Sequence, residues 1–203
     1  MENSKAYRYL MSQINAVGSK RLDGYYAKIM EEIYDWEREE VEEIIWKTFH
    51  ENRDMDLAIF LPKLQKYDGI DALKAALGKC LIPSSNSVII SQVLYEHTEN
   101  DRYLDVIKEN IDKDKDSISN VATLAYCKPC KKAYDFLVDI YIKSDDKTIR
   151  STAVTGILFN KGIIMNPHNL QEVIKNVELE RKFIADDENE RKRIITVFEE
   201  GKL

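Results

Sequence analysis

Glycine and proline are scarce in this chain, seven and four in 203 residues, and cysteine occurs three times. With Leu, Ile, Lys, Glu and Asp dominant, few Gly and few Pro favour an all-helical fold. An odd, low cysteine count excludes a disulfide framework and points to a reducing cytoplasm. No segment approaches the roughly 20 apolar residues a membrane span needs, and the opening MENSKAYRYLMSQINAVG lacks an apolar run of signal-peptide length. Walker loop, G-x-G-x-x-G and H-E-x-x-H motifs are all missing, and nothing points to a Ser/His/Asp triad.

What the chain does have is a repeat. At 44% hydrophobic it can bury a sizeable core, and the pattern of that hydrophobicity recurs. Ile149, Thr152, Ala153, Thr155 and Ile157 fall, 31 residues earlier, on Ile118, Val121, Ala122, Leu124 and Tyr126. A second step back places the last four on Ile90, Ser91, Val93 and Tyr95. Tyr103, Ile107 and Ile111 map in the same way onto Tyr134, Val138 and Ile142. A period of this length signals stacked helical hairpins.

Read in order, helices are expected at 3–17, 20–34 and 37–51, with breaks near Gly18-Ser19 and at Asn52-Arg53-Asp54, Asp54 being a candidate N-cap. A hairpin is expected from Met55–Tyr67 and Ile70–Lys79 around Asp68-Gly69, with Pro62 kinking or dividing its first helix. Pairs follow at 86–97 and 101–111, 117–126 and 130–143, and 147–160 and 170–177, the last with a lengthened loop at Gly162–Pro167. A charged closing helix, 188–200, opens with Asp186, Asp187 and Arg191 as the helix at 147 opens with Asp145, Asp146 and Arg150. The expectation is one domain over 1–203, with a helical cap at 1–53 and hairpins at 55–200.

Asp146, Arg150 and Ala153 carry a resemblance to the HEAT-like repeats, strongest over 116–160 and extending over roughly 55–200. It implies a right-handed α-α superhelix, a short solenoid whose second helices line a concave surface. Ser119 and Val88 stand where Arg150 stands, so the Arg is not repeat-wide, and Asp146 and Arg150 read as capping and packing residues.

Candidate chemistry is thin. Cys127-Lys-Pro-Cys130 has the spacing of redox and metal pairs, but no strand precedes it and only Cys80 remains as a third cysteine. The favoured account is a hairpin turn with Pro129 starting the next helix. His50-Glu51 is one pair where the di-iron hydroxylases of the HEAT class need several. No catalytic residue, metal ligand or cofactor is therefore assigned. Lys128, Lys131 and Lys132 are the nearest approach to a phosphate-binding stripe, and in an acidic chain they read as a solvated edge, which disfavours nucleic acid.

Charge is the sharper signal. Of the net −6, residues 31–56 alone contribute −8, with eleven acids against Arg38, Lys47 and Arg53. On a helical wheel with Val41 at zero, Ile44, Ile45 and Phe49 cluster between about 300° and 80°. Trp46, Glu39, Glu43, Trp36 and Glu40 fall at about 140°, 160°, 200°, 220° and 260°. If exposed, that second face offers aromatic anchors among carboxylates, the composition of a hot spot for a basic partner. Alternatively, an N-terminal helix covers the two tryptophans. A second acidic set, Asp101, Asp105 and Glu109 with Asp135 and Asp139, falls on the faces of the second helices, where Lys108 and Lys143 stand ready to neutralise it.

The resulting expectation is a cytoplasmic, non-catalytic binding module. It is similar to the HEAT-like immunity proteins of bacterial toxin–immunity pairs, including contact-dependent growth inhibition, which neutralise a basic nuclease toxin. The expected partner is a basic toxin nuclease domain bound 1:1, with no membrane and no nucleic acid. The alternatives are an adaptor docking a peptide in the concave groove on Tyr103, Val106, Tyr134 and Val138, and, less favoured, a HEAT-like alkylation-repair glycosylase.

Overall fold

The computed structural model describes residues 2–16, 25–51, 54–114 and 117–203. Every regular element among them is a helix, so the chain is all-α. No helix among the described residues is long and apolar enough to cross a membrane. The chain divides into two compact units, Met1–Cys80 and Leu81–Leu203.

In the first unit α1 (Lys5–Ile14) starts where Ser4 Oγ accepts the Tyr7 amide at 3.0 Å, and it buries Ala6 and Leu10. Over 25–34, the described part of the helix expected at 20–34, the only helix is the single turn α2 (Ile29–Glu32); residues 20–24 and the break at Gly18-Ser19 lie outside the described residues, as do Asn52 and Arg53. A 3-10 turn, Asp35–Glu37, leads into α3 (Arg38–Glu51), which buries Val41, Ile45 and Phe49 on the face the wheel assigned to the core.

Met55–Lys63 corrects the expected α-helix of 55–67. It is 3-10 throughout and stops four residues early, burying Leu57, Ala58, Phe60 and Leu61. Asp54 caps it through the Asp56 amide. Next, α4 (Gly69–Leu77) is capped by Asp68 and passes so close to the preceding segment that a Cβ on Gly69 would lie 1.9 Å from the Leu61 carbonyl oxygen. Only glycine fits this crossing.

The second unit holds α5 (Ser85–Thr98), α6 (Arg102–Lys113), α7 (Ile118–Tyr126), α8 (Lys131–Lys143), α9 (Lys147–Asn160), α10 (Leu170–Lys175), α11 (Val177–Arg181) and α12 (Glu188–Glu199). Helices α5, α7 and α9 pack in succession; α6 packs on α5, α7 and α8, and α8 packs on α7 and α9. The 31-residue spacing has a direct steric basis at one point. Gly156 of α9 lies against Ala125 of α7, its equivalent one step earlier, and a Cβ there would come within 2.7 Å of the Ala125 Cβ.

Caps follow the sequence. Ser84, Asp146 and Asp187 accept amides of the first turns of α5, α9 and α12. Arg150 and Arg191 are both buried and bend back to carbonyls five and six residues earlier: Asp145 and Ser144 at 2.9 and 3.1 Å, Asp186 and Ala185 at 2.8 and 3.5 Å. They clamp the loops that precede their helices. The expected helix of 170–177 is instead divided at Asn176 into α10 and α11.

Candidate functional site

The acidic stretch of the first unit sorts its charges between inside and outside. Glu37 is fully buried: one carboxylate oxygen accepts the Ser4 amide at 2.7 Å, the other the Tyr34 amide at 2.9 Å. Burial alone would raise its pKa, and the hydrogen bonds from Ser4 and Tyr34 outweigh it, leaving the carboxyl below its ordinary range. Glu42, also buried, accepts the Gln65 and Lys66 amides at 3.0 and 2.9 Å and pairs with Arg38 at 3.0 Å. These two carboxylates hold the backbone together, and neither was a sequence candidate. The signal was present: on the same wheel Glu37 falls at about 320°, inside the aliphatic arc, and Glu42 at about 100°, at its edge. An acid on a core face has to be hydrogen-bonded there.

Arg38, the one cation between Glu31 and Glu43, is spent inward. Besides Glu42 it donates to the Met30 and Lys63 carbonyls at 3.3 and 3.0 Å. The outward face of this stretch therefore presents Glu31, Glu32, Asp35, Glu39 and Glu40 with no cation of its own, all exposed. Lysines of the next segment reach two of them: Lys63 to Glu31 at 3.1 Å and Lys66 to Glu39 at 2.8 Å. Glu40 accepts the Tyr7 hydroxyl at 2.9 Å, which raises that phenol's pKa, and Glu43 pairs with Lys47 at 2.6 Å, which lowers its own. Such solvated pairs exchange readily for a partner's charges.

The two tryptophans part company. Trp36 is 48% exposed beside Tyr34, 51% exposed, with ring centroids 6.1 Å apart and planes tilted by 32°. Trp46 is half-buried, stacked on Tyr67 at 4.6 Å with planes within 8° and against His50 at 4.2 Å. Trp46 is therefore covered by Tyr67 and His50, and Trp36 stands open. Tyr34, which the sequence reading passed over, takes the place beside Trp36 that Trp46 was expected to hold. Glu37, the residue after Trp36, accepts the Tyr34 amide and so pins the backbone that carries the two exposed rings.

Four of the five acids in the second set are paired in place. Asp105 meets Lys132 at 2.7 Å, Glu109 meets Lys113 at 2.7 Å, and Asp135 meets Lys131 at 2.8 Å. Asp139 lies between Lys143 at 2.5 Å and Lys108 at 3.7 Å, and the Asp101 carbonyl takes a contact from Lys132. Lysine and carboxylate alternate across α6 and α8, so this surface is balanced rather than acidic. Tyr103 and Tyr134, expected at the surface of a peptide groove, are buried, and Val106 and Val138 are half-buried.

The remaining candidates resolve into structure. Cys127 is buried and donates to the Thr123 carbonyl; burial pushes its thiol up to about 12. The Cys130 sulfur accepts the Ala133 amide at 3.3 Å as the N-cap of α8, so Pro129 precedes the cap instead of starting the helix as expected. His50 Nδ1 donates to the Trp46 carbonyl at 2.8 Å. Among the described residues no three His, Cys, Asp or Glu side chains are grouped to hold a metal ion. Comparison with protein-family models, curated proteins and solved structures gives no match.

Proposed function

We propose that this all-α protein is a non-catalytic binding module whose partner is a basic protein, met by the surface that carries Tyr34 and Trp36. One observation carries the reading: two exposed, adjacent aromatic rings sit in a stretch whose only inner cation, Arg38, is turned away, leaving carboxylates outward. Aromatic anchors give contact area at low entropic cost, and unbalanced negative charge steers a cationic partner. A guanidinium stacks on an aromatic face while forking to a carboxylate, so arginine side chains suit this surface better than lysine.

Within that class the favoured partner is a nuclease toxin domain, with the chain acting in the cytoplasm as its immunity protein in a 1:1 complex. The 31-residue spacing and the successive packing of α5, α7 and α9 support a short HEAT-like stack as the scaffold. The adaptor reading is weakened by the buried Tyr103 and Tyr134. The test is co-expression with the basic toxin domain encoded beside this gene. Protection from toxicity, with an association rate that falls steeply with salt, is expected; a neighbouring frame encoding no toxin, or a complex indifferent to salt, sinks the reading.

A further inference from the structure

In the second unit the apolar surface is concentrated in one place. Of eleven exposed large hydrophobic side chains among the described residues, six lie between residues 163 and 184: Ile163, Met165, Leu170, Ile174, Val177 and Ile184. Helices α10 and α11, six and five residues long, bury none of their side chains. Isolated helices shorter than about 12 residues are marginal in water, and short ones in proteins persist because an apolar face is covered. Here Leu170 and Ile174, one turn apart on α10, are 70% and 57% exposed. A patch of this kind marks an interaction site.

We propose that this face is the contact between two copies of the chain, related by a two-fold axis that sets α10–α11 of one against α10–α11 of the other. The first argument is shape. Beside the exposed row lies a cleft of about 290 Å³ whose apolar half is Tyr141, Val154, Val177, Phe183 and Ile184 and whose other half is polar, Lys147, Glu180 and Arg181 among it. Val177 and Ile184 belong to both features, so one face carries protruding side chains and a hollow together. An isologous contact uses such a face twice, the projections of each copy entering the hollow of the other.

The second argument is charge. Residues 170–182 hold three acids, Glu172, Glu178 and Glu180, and three bases, Lys175, Arg181 and Lys182. Glu172 accepts the Met165 and Asn166 amides, Glu178 pairs with Arg181 at 2.5 Å and Glu180 accepts the Thr155 hydroxyl. With a glutamate first and a base last in each helix, antiparallel apposition adds Lys175 and Lys182 of one copy to the glutamates of the other without placing like charges together. This neutral, mixed rim does not match a basic protein, which the acidic stretch of the first unit fits. It also lacks the cationic face an anionic lipid surface selects.

Sedimentation velocity and light scattering on the full chain, up to about 100 µM, test this. The expected mass is twice 23.6 kDa, with the dimer lost in Ile174→Asp and in Leu170→Lys. Both positions are exposed, so circular dichroism should show the variants folded; Trp36→Ala, in the other unit, should leave the dimer unchanged. A monomer at every concentration, or an Ile174→Asp protein that still dimerises, overturns the proposal and leaves the face to a different molecule.

Discussion

The Ser4 amide donates to the buried Glu37 carboxylate at 2.7 Å across 33 residues of sequence, tying the start of α1 to the turn that presents Tyr34 and Trp36. Replacing Glu37 with Gln keeps the shape but sets an amide NH₂ against a backbone donor. A buried group left unsatisfied costs about 1–3 kcal/mol, so Glu37→Gln should lower the midpoint of urea unfolding. The pH dependence has a definite sign. A carboxyl held below its ordinary 4.5 adds stability above that value and loses it as pH falls through the folded-state pKa. Acid titration by circular dichroism should therefore show a shallower loss below about pH 4.5 in the Gln variant than in the parent. Equal slopes would remove Glu37 from the acid response.

Trp36 separates binding from folding. Half exposed and outside the core, it can be cut to Ala with a stability change within about 0.5 kcal/mol. As an anchor it should cost the complex about 2 kcal/mol or more, roughly thirtyfold in Kd. Glu43→Lys should slow association and flatten its salt dependence, because a rim charge acts chiefly on the encounter rate. Calorimetry and stopped-flow mixing with the proposed basic partner read both effects. A Trp36→Ala variant that binds unchanged moves the site away from this surface.

Gly156 allows α9 to lie on α7. A methyl group there meets the Ala125 Cβ at 2.7 Å and a Leu137 methyl at 2.9 Å, with the Ala125 backbone at 2.8 Å, so the helices must part. Although alanine is the better helix former, overpacking of this kind costs about 1–3 kcal/mol. Gly156→Ala should thus lower Tm against the sign of its helix propensity. A rise in Tm would mean the two helices separate at little cost.

The repeat was legible because it is local: a spacing of 31 residues, caps at Asp146 and Asp187, and an arginine four residues after each cap are all written along the chain. What escaped the sequence depends on residues that meet from afar. The Trp46–Tyr67 stack joins positions 21 apart, and the two amides that claim Glu42 come from the segment after the Met55–Lys63 helix. Periodicity assigns a face and does not say which neighbour covers it, so Trp36 and Trp46 looked equivalent until the partner ring was known. The second acidic set was open between an acidic and a neutralised surface, and the pairing of Lys132 with Asp105 from the following helix pair is one of the distant contacts that decides it. The 3-10 form of Met55–Lys63 was hidden for a different reason. Its composition suits either helix, and the close crossing at Leu61 and Gly69 shapes it only in three dimensions.

Cys127 and Cys130 give the last test, because a structural and a chemical role predict opposite results. The Cys130 sulfur caps α8 by accepting the Ala133 amide at 3.3 Å, and its own amide is held by Asn160 at 2.9 Å. A hydroxyl is a stronger acceptor than a thiol and serine is among the best N-caps, so Cys130→Ser should stabilise the second unit by up to about 1 kcal/mol. Cys127, with its thiol pushed up to about 12 by burial, stays protonated at neutral pH and should resist iodoacetamide until the protein unfolds. Mass spectrometry after alkylation at pH 8, with thermal melts of the Ser variant, checks both. Rapid labelling of Cys127, or a Cys130→Ser protein that stays folded but no longer binds the proposed partner, would show that the pair does chemistry.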